Sequence, residues 1–155
     1  MDKPFQRKGS KSNADVGRDF ESKIQKYFAE QKLPLTAGIM VPIGINGKKY
    51  HSFDLGNEER KILIECKAHK WTEGGNVPSA KLTVWNEAMF FFHAAPPSYK
   101  NILVVLKDFS SKRNETLAAY YIRTYSHLIP MGVEILEYNE ANNEAIKLND
   151  QRTSR

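Results

Sequence analysis

The stretch Arg60-Lys61-Ile62-Leu63-Ile64-Glu65-Cys66-Lys67-Ala68 (RKILIECKA, residues 60–68) alternates strictly, and its reading decides the fold. Successive side chains of an extended chain point to opposite faces. Ile62, Ile64 and Cys66 therefore share one face, and Leu63, Glu65 and Lys67 share the other. Just upstream, residues 49–55 read as a second strand closed by Gly56-Asn57. Asn46-Gly47 is a hairpin signal, and residues 38–45 (GIMVPIGI) form a first strand whose Pro42 suits an edge or a bulge. Before these, Val16, Phe20, Ile24, Tyr27 and Phe28 recur at helical spacing. With Asp15 near the start and Pro34 past the end, they predict an amphipathic helix over 14–32.

Downstream, residues 72–77 contain Gly74-Gly75 and read as a loop, and Pro78 opens a helix over 79–94. Its Leu82, Val84, Trp85, Ala88, Met89, Phe91 and Phe92 spread apolar surface over most sides, as burial against a sheet demands. Pro96-Pro97 ends it. Residues 101–106 (NILVVL) are the continuous apolar run of a strand covered on both faces. A third helix over 115–128 and a last strand over 132–138 follow, and the polar run after Asn139 reads as a frayed tail. The order is α-β-β-β-α-β-α-β. An antiparallel meander followed by strand–helix–strand crossovers predicts an α/β fold with a mixed central sheet and helices on both faces. The chain divides into a basic tail (1–13), one folded domain (14–138) and a polar tail (139–155).

Composition bounds the function classes. A chain of 155 residues with 41% hydrophobic and 26% charged residues suits one globular domain with a core of its own. A mean hydropathy of -0.55 and the lack of a long apolar run exclude a membrane span, and the polar start is not a secretory signal. The single Cys66 excludes an internal disulfide and an all-cysteine zinc site, so a reducing cytoplasm is the expected compartment. The net charge of +5 leans towards a polyanionic partner, but Lys3, Arg7, Lys8 and Lys11 against Asp2 place +3 of it in the first 13 residues. No Gly-rich phosphate loop, CxxC pair or G-x-S-x-G is present, so neither a nucleotide cofactor nor a serine nucleophile is expected.

The chemistry-bearing residues lie in the meander. Asp54 closes the second strand, Glu65 and Lys67 share a face of the third, and the hairpin between the strands brings Asp54 across from the Glu65 region. Two carboxylates that close repel each other and raise a pKa unless a hard divalent cation relieves them. A lysine beside such a cation suits activation of water or stabilisation of charge on phosphorus. Asp, Glu and Lys so arranged point to metal-assisted hydrolysis of a phosphodiester rather than to a nucleophilic triad. The acid-x-lysine pattern recurs at Glu21-Ser22-Lys23 and Glu59-Arg60-Lys61, but only Glu65-Cys66-Lys67 sits in a buried strand with an aspartate one hairpin away. An ordinary salt bridge on a solvated strand is the bland alternative.

Asp54, the strand 62–67 with its Glu65-x-Lys67, and the preceding helix with Glu21 resemble the PD-(D/E)xK, or restriction-endonuclease-like, nuclease superfamily. The likeness spans residues 14–138 and includes the α-β-β-β-α-β order of that superfamily's core; Phe53 stands where the name-giving motif has proline. The resemblance implies that Asp54, Glu65 and the backbone carbonyl of Cys66 ligate Mg²⁺, with Mn²⁺ able to substitute. It further implies that Lys67 activates the attacking water and that Glu21 supports the metal site or orients the lysine. It implies a DNA endonuclease acting as a homodimer, on a recognition site or on branched or damaged DNA. A non-catalytic nucleic-acid-binding or assembly subunit on the same fold is the alternative. An RNA phosphodiester presents the same group to a metal.

Secondary candidates surround this set. Lys81 and Ser79 at the start of the second long helix, and His69 and Lys70 just after the third strand, are placed to meet phosphate or, equally, solvent; Ser79 is also a candidate helix cap. Trp71 reads equally as packing. Arg7, Lys8 and Lys11 would add salt-dependent phosphate contacts or merely solubilise a tail. His51, three residues from Asp54, falls on the opposite side by alternation and is not expected at the site. His93 and His127 are explained by helix ends. Tyr120, Tyr121 and Tyr125 with Arg123 read mainly as packing and less as a nucleic-acid face.

Overall fold

The structure, a computed structural model, describes residues 12–149; Arg7, Lys8 and Lys11 lie outside the described residues. The elements are α1 Asn13–Glu30, β1 Thr36–Ile43, β2 Lys49–Asn57, β3 Ile62–Lys67, α2 Ser79–Ala94, β4 Lys100–Leu106, β5 Phe109–Ser110, β6 Glu115–Thr116, α3 Leu117–Tyr125, β7 Glu134–Asn139 and β8 Glu144–Lys147. A 3-10 turn, Ser126–Leu128, extends α3. Six strands form one mixed sheet in the order β1-β2-β3-β4-β7-β8, and β5 and β6 form a separate small hairpin. β1, β2 and β3 are antiparallel, β3, β4 and β7 run parallel, and β8 returns antiparallel to β7.

Each layer follows from residue pattern. Ser12 caps α1 by accepting from the Asp15 N–H, and Phe20, Ile24 and Phe28, four apart, bury one stripe of that helix. They pack on Leu55, Ile64, Cys66, Ile102, Val104 and Leu106 from one face of the sheet. The β3-α2-β4 and β4-α3-β7 crossovers both step the same way along the sheet, so crossovers of one hand put α2 and α3 together on the opposite face. There Leu82, Trp85, Met89, Phe92, Leu117 and Tyr121 pack on Phe53, Leu63, Leu103 and Val105. β4 lies between both layers and is buried from Ile102 to Leu106, as its continuous apolar run predicts. Among the described residues no helix is long and apolar enough to cross a membrane.

Two expectations are corrected. The run after Asn139 is not all tail: residues 144–147 pair with β7 as an edge strand, with Leu136 opposite Lys147 and Asn139 opposite Glu144. An edge strand needs backbone partners more than apolar side chains, so its polar sequence hid it. The third helix begins at Leu117 rather than at residue 115, because Glu115 and Thr116 pair with Ser110 and Phe109 and the Thr116 side chain caps the helix. Smaller shifts of two residues affect β1, which begins at Thr36 with the left-handed Gly38 inside it, and β3, which begins at Ile62 after the turn ending at Lys61 (φ 55).

At Gly56 β2 leaves no room for a side chain. A Cβ there would lie 2.6 Å from Ile39 Cγ2 and 2.7 Å from the carbonyl oxygen of Ile62, and the latter is backbone of β3 that cannot rotate away. Gly56→Ala is therefore expected to lower stability by about 1–3 kcal/mol. Chemical denaturation would read this as a lower midpoint, and an unchanged midpoint would show that β2 and β3 separate freely.

Candidate active site

The site forms where β2 and β3 part. Their ladder pairs Asn57 with Ile62, Gly56 with Leu63 and Leu55 with Ile64, and then stops. A strand residue directs its N–H and C=O to the same side. The Cys66 backbone, two residues beyond Ile64, thus turns both groups towards β2 where no strand partner follows. A buried N–H without an acceptor is costly. The Asp54 carboxylate supplies the acceptor, taking the Cys66 N–H at 2.8 Å.

Asp54 is freed for this by a break in the pleat. Phe53 belongs to the core on the α2 side and Leu55 to the core on the α1 side, although residues two apart in a regular strand share a face. On β1, Ala37 pairs with Leu55 and Ile39 with Phe53, while Gly38 between them has φ 65, a left-handed conformation suited to glycine. The backbone turns over at the Gly38–Asp54 step, and the aspartate swings towards β3.

Three carboxyl groups meet around this hinge. Glu65 is 5% exposed. Burial, then a hydrogen bond to Asp54 and its charge, pushes the Glu65 carboxyl up to about 9. Glu21 reaches Asp54 from α1, one residue past the buried Phe20; burial and then the Asp54 charge push it up to about 7. The Lys67 ammonium opposes both shifts without cancelling them. The structure thus brings together Glu21, Asp54, Glu65 and Lys67.

The donors are all oxygen. Among the described residues no three His, Cys, Asp or Glu side chains form a ready metal cage. Asp54, Glu65 and the carbonyl of Cys66, which the strand leaves without a partner, make a sparse set of the kind Mg²⁺ accepts while keeping several waters. Mutual repulsion among the carboxyls is the tension that a hard cation relieves, so these residues fit such an ion.

A cavity of about 490 Å³ opens beside them. Asn13, Val16, Gly17 and Glu21 of α1 wall one side, Pro78, Lys81 and Val84 the other, and Asp54, Cys66, Lys67, Ala68, His69 and Lys70 form its floor. Comparison of the chain with protein-family models, curated proteins and solved structures finds no match. The cavity's chemistry has to speak for itself: acids at the β2 side, amines and an imidazole at the α2 side.

The remaining candidates separate cleanly. Lys81, His69 and Lys70 line the cavity, whereas Ser79 does not. Nor does Ser79 cap α2: Pro78 holds the cap position and no side chain bonds the helix end. Trp71 is buried, edge-on to Tyr120 and beneath the Arg113 guanidinium, which fixes it as packing. Tyr121 is fully buried, and Arg123 is held by Glu115 at 2.6 Å while lying over Tyr120.

His51 corrects the reading from alternation. Its Nε2 lies 3.3 Å from Glu65 Oε1, and its ring packs against Phe53 and Phe91. The alternation itself holds, since His51 and Phe53 share a face. Glu65 occupies that same face, with Leu63, so distance from Asp54 was the wrong test. A second omission is the pair Trp85–His69, joined at 2.8 Å; a buried tryptophan N–H in search of an acceptor was its sequence signal.

The raised carboxyls set a pH dependence. From the ordinary glutamate range up to about 7 for Glu21 and about 9 for Glu65, the folded chain holds protons that the unfolded chain has released. Their contribution is greatest in acid and is lost as pH climbs towards 9. Without divalent cation, the melting temperature should fall from pH 5 to pH 9, and Glu65→Gln should raise it at pH 8 by about 4 °C or more. A parent that melts higher at pH 9 than at pH 5, or a less stable Glu65→Gln, would contradict this.

Proposed function

We propose that the protein is a Mg²⁺-dependent nuclease that hydrolyses DNA phosphodiesters, a member of the restriction-endonuclease-like superfamily that its α-β-β-β-α-β order and Asp54/Glu65-x-Lys67 set resemble. The observation that carries the reading is the Asp54 carboxylate, fixed by the Cys66 N–H at 2.8 Å between two further carboxyls, with Lys67 on the same cavity wall.

Asp54, Glu65 and the Cys66 carbonyl would hold the metal. When bound, Mg²⁺ polarises the phosphate and lowers the pKa of a coordinated water. The chain's own residues do the rest. Asp54 is oriented in advance by its contact with the Cys66 N–H. Glu65 is held on its other side by the His51 ring, whose pKa burial pushes down. Lys67 faces the open cavity, where an ammonium can donate to a phosphate oxygen or to the attacking water. Glu21, whose carboxyl is raised to about 7 next to Asp54, is placed to hold a proton at the rim. Duplex DNA at a short site and branched DNA both present this group, and a second copy of the chain would be needed to cut both strands.

Purified protein incubated with supercoiled, linear and branched DNA is expected to cut at least one form with Mg²⁺ or Mn²⁺ and none in EDTA. Asp54→Asn, Glu65→Ala and Lys67→Ala should each lower the rate by at least about a hundredfold. Intact DNA across the panel, or a Glu65→Ala protein as active as the parent, would sink the proposal. DNA that is bound and never cut would move the assignment to the non-catalytic subunit.

A further inference from the structure

Trp85 lies on α2, 0% exposed in the core beneath the cavity, and its indole N–H finds its acceptor in His69 Nδ1 at 2.8 Å. An indole nitrogen donates and never accepts. His69 Nδ1 must therefore present its lone pair, and the ring proton of the neutral imidazole sits on Nε2. Among the described residues nothing accepts from that Nε2, although the ring lines the cavity floor between Lys67 and Lys81. The two rings meet edge to edge with their planes 27° apart, so the bond sets the orientation of the imidazole as well as its tautomer.

We propose that Trp85 is a positioning residue that locks His69 as a neutral Nε2–H donor, and that His69 and Lys81 together bind a phosphate group of the nucleic-acid backbone beside the one being cut. The chemistry agrees on three counts. A neutral N–H donates to an anionic oxygen, whereas the other tautomer would aim a lone pair at it. Lys81 supplies the charge that a neutral ring lacks. Burial, with the Lys67 and Lys81 ammonium groups, pushes the imidazole down to about 4, so the donor is unchanged across the neutral range. The identity of the ligand as nucleic acid rests on the nuclease reading; the phosphate subsite does not.

The test uses the full chain with ¹⁵N-labelled histidine in EDTA, so that no cleavage is needed. Long-range ¹H–¹⁵N spectra should show His69 as the Nε2–H tautomer from pH 5 to pH 8. In Trp85→Phe, which keeps the packing and removes the N–H, Nδ1 is no longer held as an acceptor and the ring should populate both neutral tautomers. Addition of dimethyl phosphate, and separately of a short DNA duplex, should shift the Nε2–H signal, and His69→Ala should weaken duplex binding about three- to tenfold. An Nδ1–H tautomer, a Trp85→Phe ring indistinguishable from the parent, or a signal unmoved by either ligand would overturn the subsite. A signal moved by dimethyl phosphate and untouched by the duplex would keep the subsite and overturn the nucleic-acid reading instead.

Discussion

The hydrogen bond from the Cys66 N–H to the Asp54 carboxylate stands where a strand-to-strand bond would otherwise be. β2 and β3 cannot stay paired past Leu55–Ile64, because at Asp54 the backbone of β2 turns its side chains over between the two cores. Phe53 and Leu55 are both fully buried, in opposite layers, so neither can follow the other without emptying a packed site. Packing on both faces holds the turn-over in place. The orphaned N–H then draws in the only kind of group that satisfies it without a strand, a side-chain acceptor on a short arm. Aspartate has that reach from Asp54, and its carboxylate is left pinned between α1 and β3.

Pinning one carboxylate there sets the electrostatics of its neighbours. Glu65 is buried on β3 because β3 is an interior strand, and Glu21 is brought in because Phe20 beside it is part of the α1 stripe. Neither position serves the acid; each is a by-product of apolar packing. The result is a group of carboxyls that the fold alone does not favour in their charged form, offset in part by Lys67. Sites arranged for chemistry commonly carry such stress, and the rest of the core must make up for it. Here the compensation is visible in the continuous burial of β4 and in the aromatic packing of Trp85, Tyr121, Phe53 and Phe92.

Much of this was legible in the residues. Alternation in RKILIECKA and the unbroken NILVVL run each marked a strand, and the four-residue spacing of Phe20, Ile24 and Phe28 predicted a helix packed on the sheet; the charges of β3 did not show that it is covered on both faces. Those signals are strong because burial repeats along an element. What stayed hidden does not repeat. β8 is polar, since an edge strand is recruited by backbone groups. The short β5–β6 hairpin holds the loop after β3, with Lys112 Nζ on the Gly74 carbonyl at 3.0 Å and Arg113 Nε on that of Gly75 at 2.8 Å, contacts between residues 38 positions apart. The turn-over at Asp54 could not be read from a pattern that assumes every strand is regular, and judging His51 by its spacing from Asp54 hid its place beside Glu65.

A regular sheet walls off the helices on its two faces from one another. The early end of the β2–β3 ladder opens that wall. Through the gap, α1 contributes Glu21 and Gly17 and α2 contributes Lys81 and Val84 to one cavity, although the two helices pack on opposite cores. The gap also sorts the chemistry by origin. Carboxyls enter from α1 and β2, and amines and the imidazole from the end of β3 and the start of α2. A ligand that joins a cation to an anion across that cavity would be held by both layers at once, and a phosphodiester with a bound metal is such a ligand. The sidedness follows from where the ladder stops, because Asp54 turns towards β3 just past its last rung, Leu55–Ile64.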